Sequence, residues 1–132
     1  SHQNFEMIIA DDGSDDNTEE VVKNYSDSRI KYFKLQKNGG PGRAKNFGVE
    51  MASGETITFL GSDDYYENVR VLEEINQKIT RADVVAFKKY YIEDDNGRRA
   101  EEAKLTGDAY EYLMQHPLHY IGKPPYAMKR NL

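Results

Sequence analysis

Apolar and polar positions alternate along this chain in short blocks of two kinds. Phe5-Glu6-Met7-Ile8-Ile9-Ala10 and Thr56-Ile57-Thr58-Phe59-Leu60 are brief apolar runs that end in turn residues. Runs of this length, with β-branched residues, read as strands of a buried parallel sheet. The pattern predicts strands over 5–10, 30–35, 55–60 and 83–92, and helices over 18–26, 42–52 and 68–80. In the first helix Val21, Val22 and Tyr25 share a side, with Asn17 as its N-cap. The second opens after Gly39-Gly40-Pro41-Gly42, carries Ala44, Phe47 and Met51 at helical spacing, and ends at Gly54. The third carries Val69, Leu72, Ile75 and Ile79 as a stripe of period 3.6. Strands alternating with helices through short loops imply an α/β fold with right-handed crossovers. After residue 92 the signals thin out. Asp95-Asn96-Gly97 reads as a turn, residues 106–116 as a short helix from Thr106 to Pro117, and Tyr120–Leu132 shows no clear period.

Composition narrows the class. The chain has 132 residues, enough for one domain, and no apolar run long enough to span a membrane. No signal peptide is visible. With no cysteine, disulfides and thiolate metal sites are excluded. A net charge of -5 and dispersed basic residues argue against a nucleic-acid partner. Lys88-Lys89 and Arg98-Arg99 read as solvated face. His2, His116 and His119 have neither metal-ligand spacing nor a nucleophile in step with them, so they read as surface or packing residues. The ten tyrosines read as core and rim residues.

The candidate chemistry sits where the strands end. In an open parallel sheet, ligands bind beyond the carboxyl ends of the strands. Asp11-Asp12-Gly13-Ser14 follows the first strand and Gly61-Ser62-Asp63-Asp64 follows the third. Two such carboxylate clusters can hold a divalent cation and the diphosphate it neutralises, which points to a nucleotide-diphosphate substrate. On local chemistry alone, a polar loop capping the next helix accounts for either cluster. Gly39-Gly40-Pro41-Gly42-Arg43 reads either as a plain turn or as a phosphate cradle, with backbone N–H groups and a guanidinium fork. Neither a P-loop nor the dinucleotide fingerprint fits its spacing. A calcium loop over 11–20 also fails, because glycine is absent from its sixth position.

Taken in order, three blocks resemble the family 2 glycosyltransferases with the GT-A fold. They are residues 4–18 (Asn4 to Thr18), residues 38–48 (Asn38 to Gly48) and residues 52–64 (Ala52 to Asp64). The resemblance is close over about residues 3–90 and loose beyond. It implies a Rossmann-like GT-A sheet, incomplete at both ends. Residues 1–92 would be the nucleotide-sugar-binding part and 93–132 the start of an acceptor-side part. It further implies that Asp11 and Asp12 contact the base and ribose. Arg43 and Asn46 would hold the donor near its diphosphate and ribose, and Ser62 would join the substrate contacts. Asp63, with Asp64 beside it, would bind Mn²⁺ or Mg²⁺. The implied reaction is metal-assisted transfer, with inversion, from a nucleotide-diphospho-sugar, most commonly a UDP-sugar. A saccharide or lipid-linked hydroxyl would accept the sugar. The expected setting is cytoplasmic, at or near a membrane surface.

The chain departs from the pattern in two ways. Gly61 stands where the metal motif usually has its first aspartate, and the family's general base is expected beyond Leu132. Both departures keep a second reading open, a nucleotide-sugar-binding module without transfer activity. An ordinary dinucleotide-binding domain ranks below it.

Overall fold

The computed structural model describes residues 2–81, 84–86, 89–95, 97–102 and 126–129. It is an α/β structure. Strand β1 (Met7–Asp11) leads through helix α1 (Thr18–Lys23) to strand β2 (Ile30–Lys34), which pairs with β1 in parallel. Met7 stands opposite Ile30, and Asp11 stands opposite Lys34. Helix α2 (Pro41–Met51) then returns the chain to strand β3 (Thr56–Thr58), and helix α3 (Val71–Ile79) leads to strand β4 (Val84–Ala86). Strands β5 (Lys89–Asp94) and β6 (Gly97–Glu102) form a hairpin, and β7 is Tyr126–Lys129.

The expected alternation of strands and helices is present through β4, but the pairing of the later strands differs. Among the described residues, β3 and β4 each pair antiparallel with β7, which lies between them. Met128 is thus opposite both Ile57 and Val84. The stretch without a readable period therefore supplies a central strand. Four residues are too few to show a period, and β7 is held by neighbours on both edges. The strand expected over 83–92 proves to be two, because β4 takes β7 as its partner while β5 takes β6. The β5–β6 ladder closes at Asp94 opposite Gly97, where the turn at Asp95-Asn96-Gly97 is predicted, although Asn96 itself lies outside the described residues. The helix expected over 106–116 lies outside the described residues.

The helix ends also differ in detail. Asn17 stands at the N-cap of α1 without a side-chain cap bond. Asp16 takes that role instead, accepting the Thr18 N–H at 2.9 Å and the Thr18 hydroxyl at 2.5 Å. Helix α1 stops at Lys23, so Tyr25 lies beyond it and is exposed. In α2, Pro41 starts the helix, where its missing N–H costs nothing. Extended Ala52 stops α2 ahead of Gly54. Helix α2 lies against β1, and its Phe47 packs edge-on against Phe33 of β2 with ring centroids 5.4 Å apart, whereas Met51 is exposed. In α3 the buried stripe is Val71, Ile75 and Ile79. Val69 precedes the helix and is 84% exposed, so Val71 has the place expected for it.

One tie joins the first strand to the third. The Glu6 carboxylate, just before β1, accepts the Ser53 N–H at 2.6 Å, the Ser53 hydroxyl at 2.7 Å and the Gly54 N–H at 3.0 Å. Lys31 donates to its other oxygen at 2.7 Å. Among the described residues no ladder joins β3 to β1. Glu6 fixes where the chain enters β3, and hence where the 61–64 loop emerges.

Candidate functional site

The residues singled out by their chemistry fall on three loops, after β1, after β2 and after β3. Asp11 is the last residue of β1 and is 5% exposed, the one buried charged residue among those described. Its Oδ1 accepts the Ser14 N–H at 2.7 Å, closing the turn, and its Oδ2 accepts the Tyr32 hydroxyl. Burial raises the Asp11 pKa. The Tyr32 hydroxyl, the Ser14 N–H and hydroxyl, and the Lys34 charge outweigh burial and hold it at about 2. Burial and the Asp11 carboxylate together push the Tyr32 phenol up to about 12, so it stays protonated and remains a donor at neutral pH.

Asp12 faces the second loop. Both its carboxylate oxygens accept the Gly39 N–H at 3.0 Å, and Oδ2 accepts the Gly40 N–H at 2.6 Å. The amides that the sequence offers to a phosphate are therefore taken by the protein's own carboxylate. Gly40 is the N-cap of α2 with φ of 85°, a backbone state open to glycine at little cost. Gly13 lets the two loops close up. A Cβ there would lie 3.3 Å from the Asn38 nitrogen, on a backbone with φ of 87°.

Arg43 and Asn46 both lie on α2 and are exposed. The Arg43 side chain folds back over Gly39 and donates from Nη1 to the Lys37 carbonyl. It thus covers the glycine turn. Asn46 is one helical turn further along.

The third loop makes a tight turn in which the Asp64 N–H donates to the Gly61 carbonyl at 3.1 Å. Asp63 and Asp64 converge over Gly61. A Cβ built on Gly61 would lie 2.9 Å from Asp63 Oδ1 and 2.7 Å from Asp64 Oδ2. Two carboxylate oxygens therefore share the space that a side chain at position 61 would fill. Ser62, between Gly61 and Asp63 in the chain, is exposed. The Tyr66 and Thr58 hydroxyls, 3.0 Å apart, tie the loop back to β3. Arg98 reaches from β6 to Glu67 at 3.0 Å. Among the described residues, no group of three His, Cys, Asp or Glu side chains gathers at one point.

The site thus consists of two linked loops (the 11–14 turn and the 37–43 turn) and the separate acidic turn at 61–64. Asp12 is brought into direct contact with Gly39 and Gly40, and Asp11 with Tyr32. Sequence reasoning missed Tyr32 and Glu6. Each acts across a long stretch of chain, Tyr32 on Asp11 and Glu6 on Ser53, and no local spacing announces such a pair. The one available sign was a carboxylate, Glu6, inside an otherwise apolar strand.

Comparison with known proteins identifies the family. The family described as "Glycosyl transferase family 2" matches residues 1–129. An uncharacterized glycosyltransferase of Haemophilus influenzae is 38% identical over 115 residues, covering 86% of this chain and 46% of that protein. The Escherichia coli protein named UDP-Glc:alpha-D-GlcNAc-diphosphoundecaprenol beta-1,3-glucosyltransferase WfaP is 35% identical over 95 residues, covering 72% of this chain and 38% of its own. The putative teichuronic acid biosynthesis glycosyltransferase TuaG of Bacillus subtilis is 32% identical over 99 residues, covering 74% of this chain and 39% of its own. The chain spans less than half the length of these curated relatives. With the three blocks in order on an α/β frame, and a family match across nearly the whole chain, this protein belongs to glycosyl transferase family 2 and has the GT-A fold.

Proposed function

We propose that the chain is the donor-binding part of a glycosyltransferase that moves a sugar from a UDP-sugar to an acceptor hydroxyl with a divalent cation. The observation that carries this reading is the convergence of Asp63 and Asp64 over Gly61, on the loop that follows a strand. Two carboxylate oxygens facing one space suit Mg²⁺ or Mn²⁺, which take one or two protein carboxylates and complete their shell with substrate phosphate and water. Asp63 and Asp64 would hold the cation, whose charge would offset that of the departing nucleoside diphosphate.

The protein's own residues have the remaining tasks. Asp12 and Arg43 frame the glycine turn at the start of α2, and Asn46 follows on the same helix. Asp12 would contact the ribose, and Arg43 and Asn46, with Ser62, would hold the donor near its ribose and diphosphate. Asp11 lies beneath them with both oxygens bonded inside the protein, so it would act by shaping the turn that carries Asp12. The WfaP relative uses UDP-Glc and a diphosphoundecaprenol-linked sugar according to its name, which supports a UDP-sugar donor and a lipid-linked acceptor here. The teichuronic acid relative supports a role in polysaccharide synthesis. The acceptor would attack the anomeric carbon opposite the diphosphate, inverting its configuration. A place at the cytoplasmic membrane surface follows from such an acceptor.

Calorimetric titration of UDP into the chain, with and without Mn²⁺ and with GDP as comparison, tests this reading. UDP is expected to bind more tightly with Mn²⁺ present, and better than GDP. A folded chain that binds neither nucleotide would contradict it.

Gly61 favours a second reading, a binding module without transfer activity. Gly61→Asp in a full-length protein separates the two. The new Cβ must push back the ends of Asp63 and Asp64, which flexible side chains can accommodate. Donor binding is expected to survive, and turnover to appear or rise. Intact binding with turnover still absent would favour the binding module.

A further inference from the structure

We propose that Tyr32 is a positioning residue of the donor site, acting through Asp11 to hold the two loops that carry Asp12, Arg43 and Asn46. The inference rests on the donor reading above and names a residue which that reading does not use.

The argument follows a continuous set of contacts. Tyr32 is on β2, opposite Ile9 in the parallel ladder, two residues before the Lys34–Asp11 pair. Its hydroxyl donates to Asp11 Oδ2, while Oδ1 is held by the Ser14 N–H. The Asp11 carboxylate therefore has a fixed orientation between a strand and a turn. That turn projects the next residue, Asp12, onto the Gly39 and Gly40 amides. Those amides lie at the start of α2, which carries Arg43 and Asn46. A buried carboxylate with one bond removed regains rotational freedom and carries an unmet desolvation cost. The turn above it loosens as a result. The phenol stays a donor throughout the neutral range, so the link does not switch off at physiological pH.

The charged groups around the pair are few. Lys34, on β2, stabilises the Asp11 carboxylate, while Asp16 and Glu19, on the α1 side, oppose ionisation of Tyr32. None of them donates a hydrogen bond to Asp11 Oδ2, so none replaces the phenol there.

Tyr32→Phe keeps the ring and removes only the hydroxyl. Three readouts on the 132-residue chain decide the matter: UDP titration with Mn²⁺, the amide resonances of Ser14, Gly39 and Gly40, and the carbon-detected acid titration of the Asp11 carboxyl. UDP affinity is expected to fall about fivefold or more, the three amides to shift, and the Asp11 midpoint to rise. Glu6→Gln, which weakens the remote tie at Ser53 and Gly54, serves as the control for general loss of stability. It is expected to leave the Asp11 midpoint and the Gly39 and Gly40 amides in place. Unchanged UDP affinity in Tyr32→Phe would overturn the inference, as would equal shifts of the Asp11 midpoint and of the Gly39 and Gly40 amides in Glu6→Gln. If the unaltered chain binds no UDP, the donor reading fails. The two ligand-free readouts then still decide the coupling, and unmoved amides with an unmoved Asp11 midpoint would overturn it separately.

Discussion

Asp63→Ala is expected to abolish the part of UDP binding that depends on Mn²⁺. Binding measured without the metal should be little changed. Asp63 Oδ1 and Asp64 Oδ2 each come within 3 Å of the Cβ position of Gly61, so the pair forms one two-oxygen site. With Gly61 supplying no carboxylate of its own and Glu67 paired with Arg98, no third acidic side chain converges on that point among the described residues. Loss of residues that merely support metal ligands costs roughly 10–100-fold in affinity, and loss of a ligand should cost at least as much. Because the loop is exposed and its turn is closed by a backbone bond from Asp64 to Gly61, the substitution should leave the fold intact. Titration of UDP at fixed Mn²⁺, beside the same titration in chelator, reads both effects. Retention of the Mn²⁺-dependent increment in a folded Asp63→Ala chain would remove the acidic turn from the proposed donor site.

Glu6→Ala is expected to be the most destabilising single change at a charged position among the described residues. Four donors lose their acceptor together: the Ser53 N–H and hydroxyl, the Gly54 N–H and the Lys31 ammonium. The lysine pair is partly exposed and contributes little by itself. The Ser53 and Gly54 bonds go to an ionised acceptor, the stronger kind, and a loss on the order of 2–4 kcal/mol follows. Urea unfolding measures it directly.

The pH profile gives an independent check. Lys31, the Ser53 hydroxyl and N–H, and the Gly54 N–H hold the Glu6 pKa at about 2, below its ordinary 4.5. A carboxyl whose folded pKa is depressed stabilises the fold fully above its unfolded pKa. It loses that contribution as pH falls toward the folded value. Stability of the unaltered chain should therefore decline from about pH 5 to about pH 2, with Asp11 contributing in the same direction. In Glu6→Ala the decline should be shallower, since one of the depressed carboxyls is gone. A mutant as stable as the parent, with the same acid slope, would show that β3 is placed by other means.

Much of the frame was legible before any coordinates. Strands β2 and β3 and helices α1 and α3 lie within the predicted stretches, and β1 and α2 overrun theirs by one residue at one end, because each shows a local apolar period or a local stop signal. Pro41 after Gly40, and Asp95-Asn96-Gly97 between two strands, are marks of the same local kind. The three loops that carry the candidate chemistry were likewise identified by their own residues. Less was visible wherever one residue depends on another far along the chain. Val69 and Val71 both suit an apolar helix face, and only packing buries Val71 and leaves Val69 in solvent. Asn17 and Asp16 are both good caps, and only the path of the chain selects Asp16. Nothing local to β7 says that it will lie between β3 and β4.

The order and spacing of the three blocks are properties of the linear chain, and they carried the resemblance to the family that the family match bears out. Local sequence determined them because turn formation, helix capping and strand propensity act over a few residues. What Asp11 and Asp12 are bonded to was decided by tertiary structure alone. As a sequence, Asp11-Asp12 offers two equivalent carboxylates. In the fold they separate, because successive side chains at a strand end point in different directions. Asp11 turns inward to Tyr32, and Asp12 turns toward the glycine amides of α2. Likewise, only the folded turn brings Asp63 and Asp64 together over the position that Gly61 leaves open.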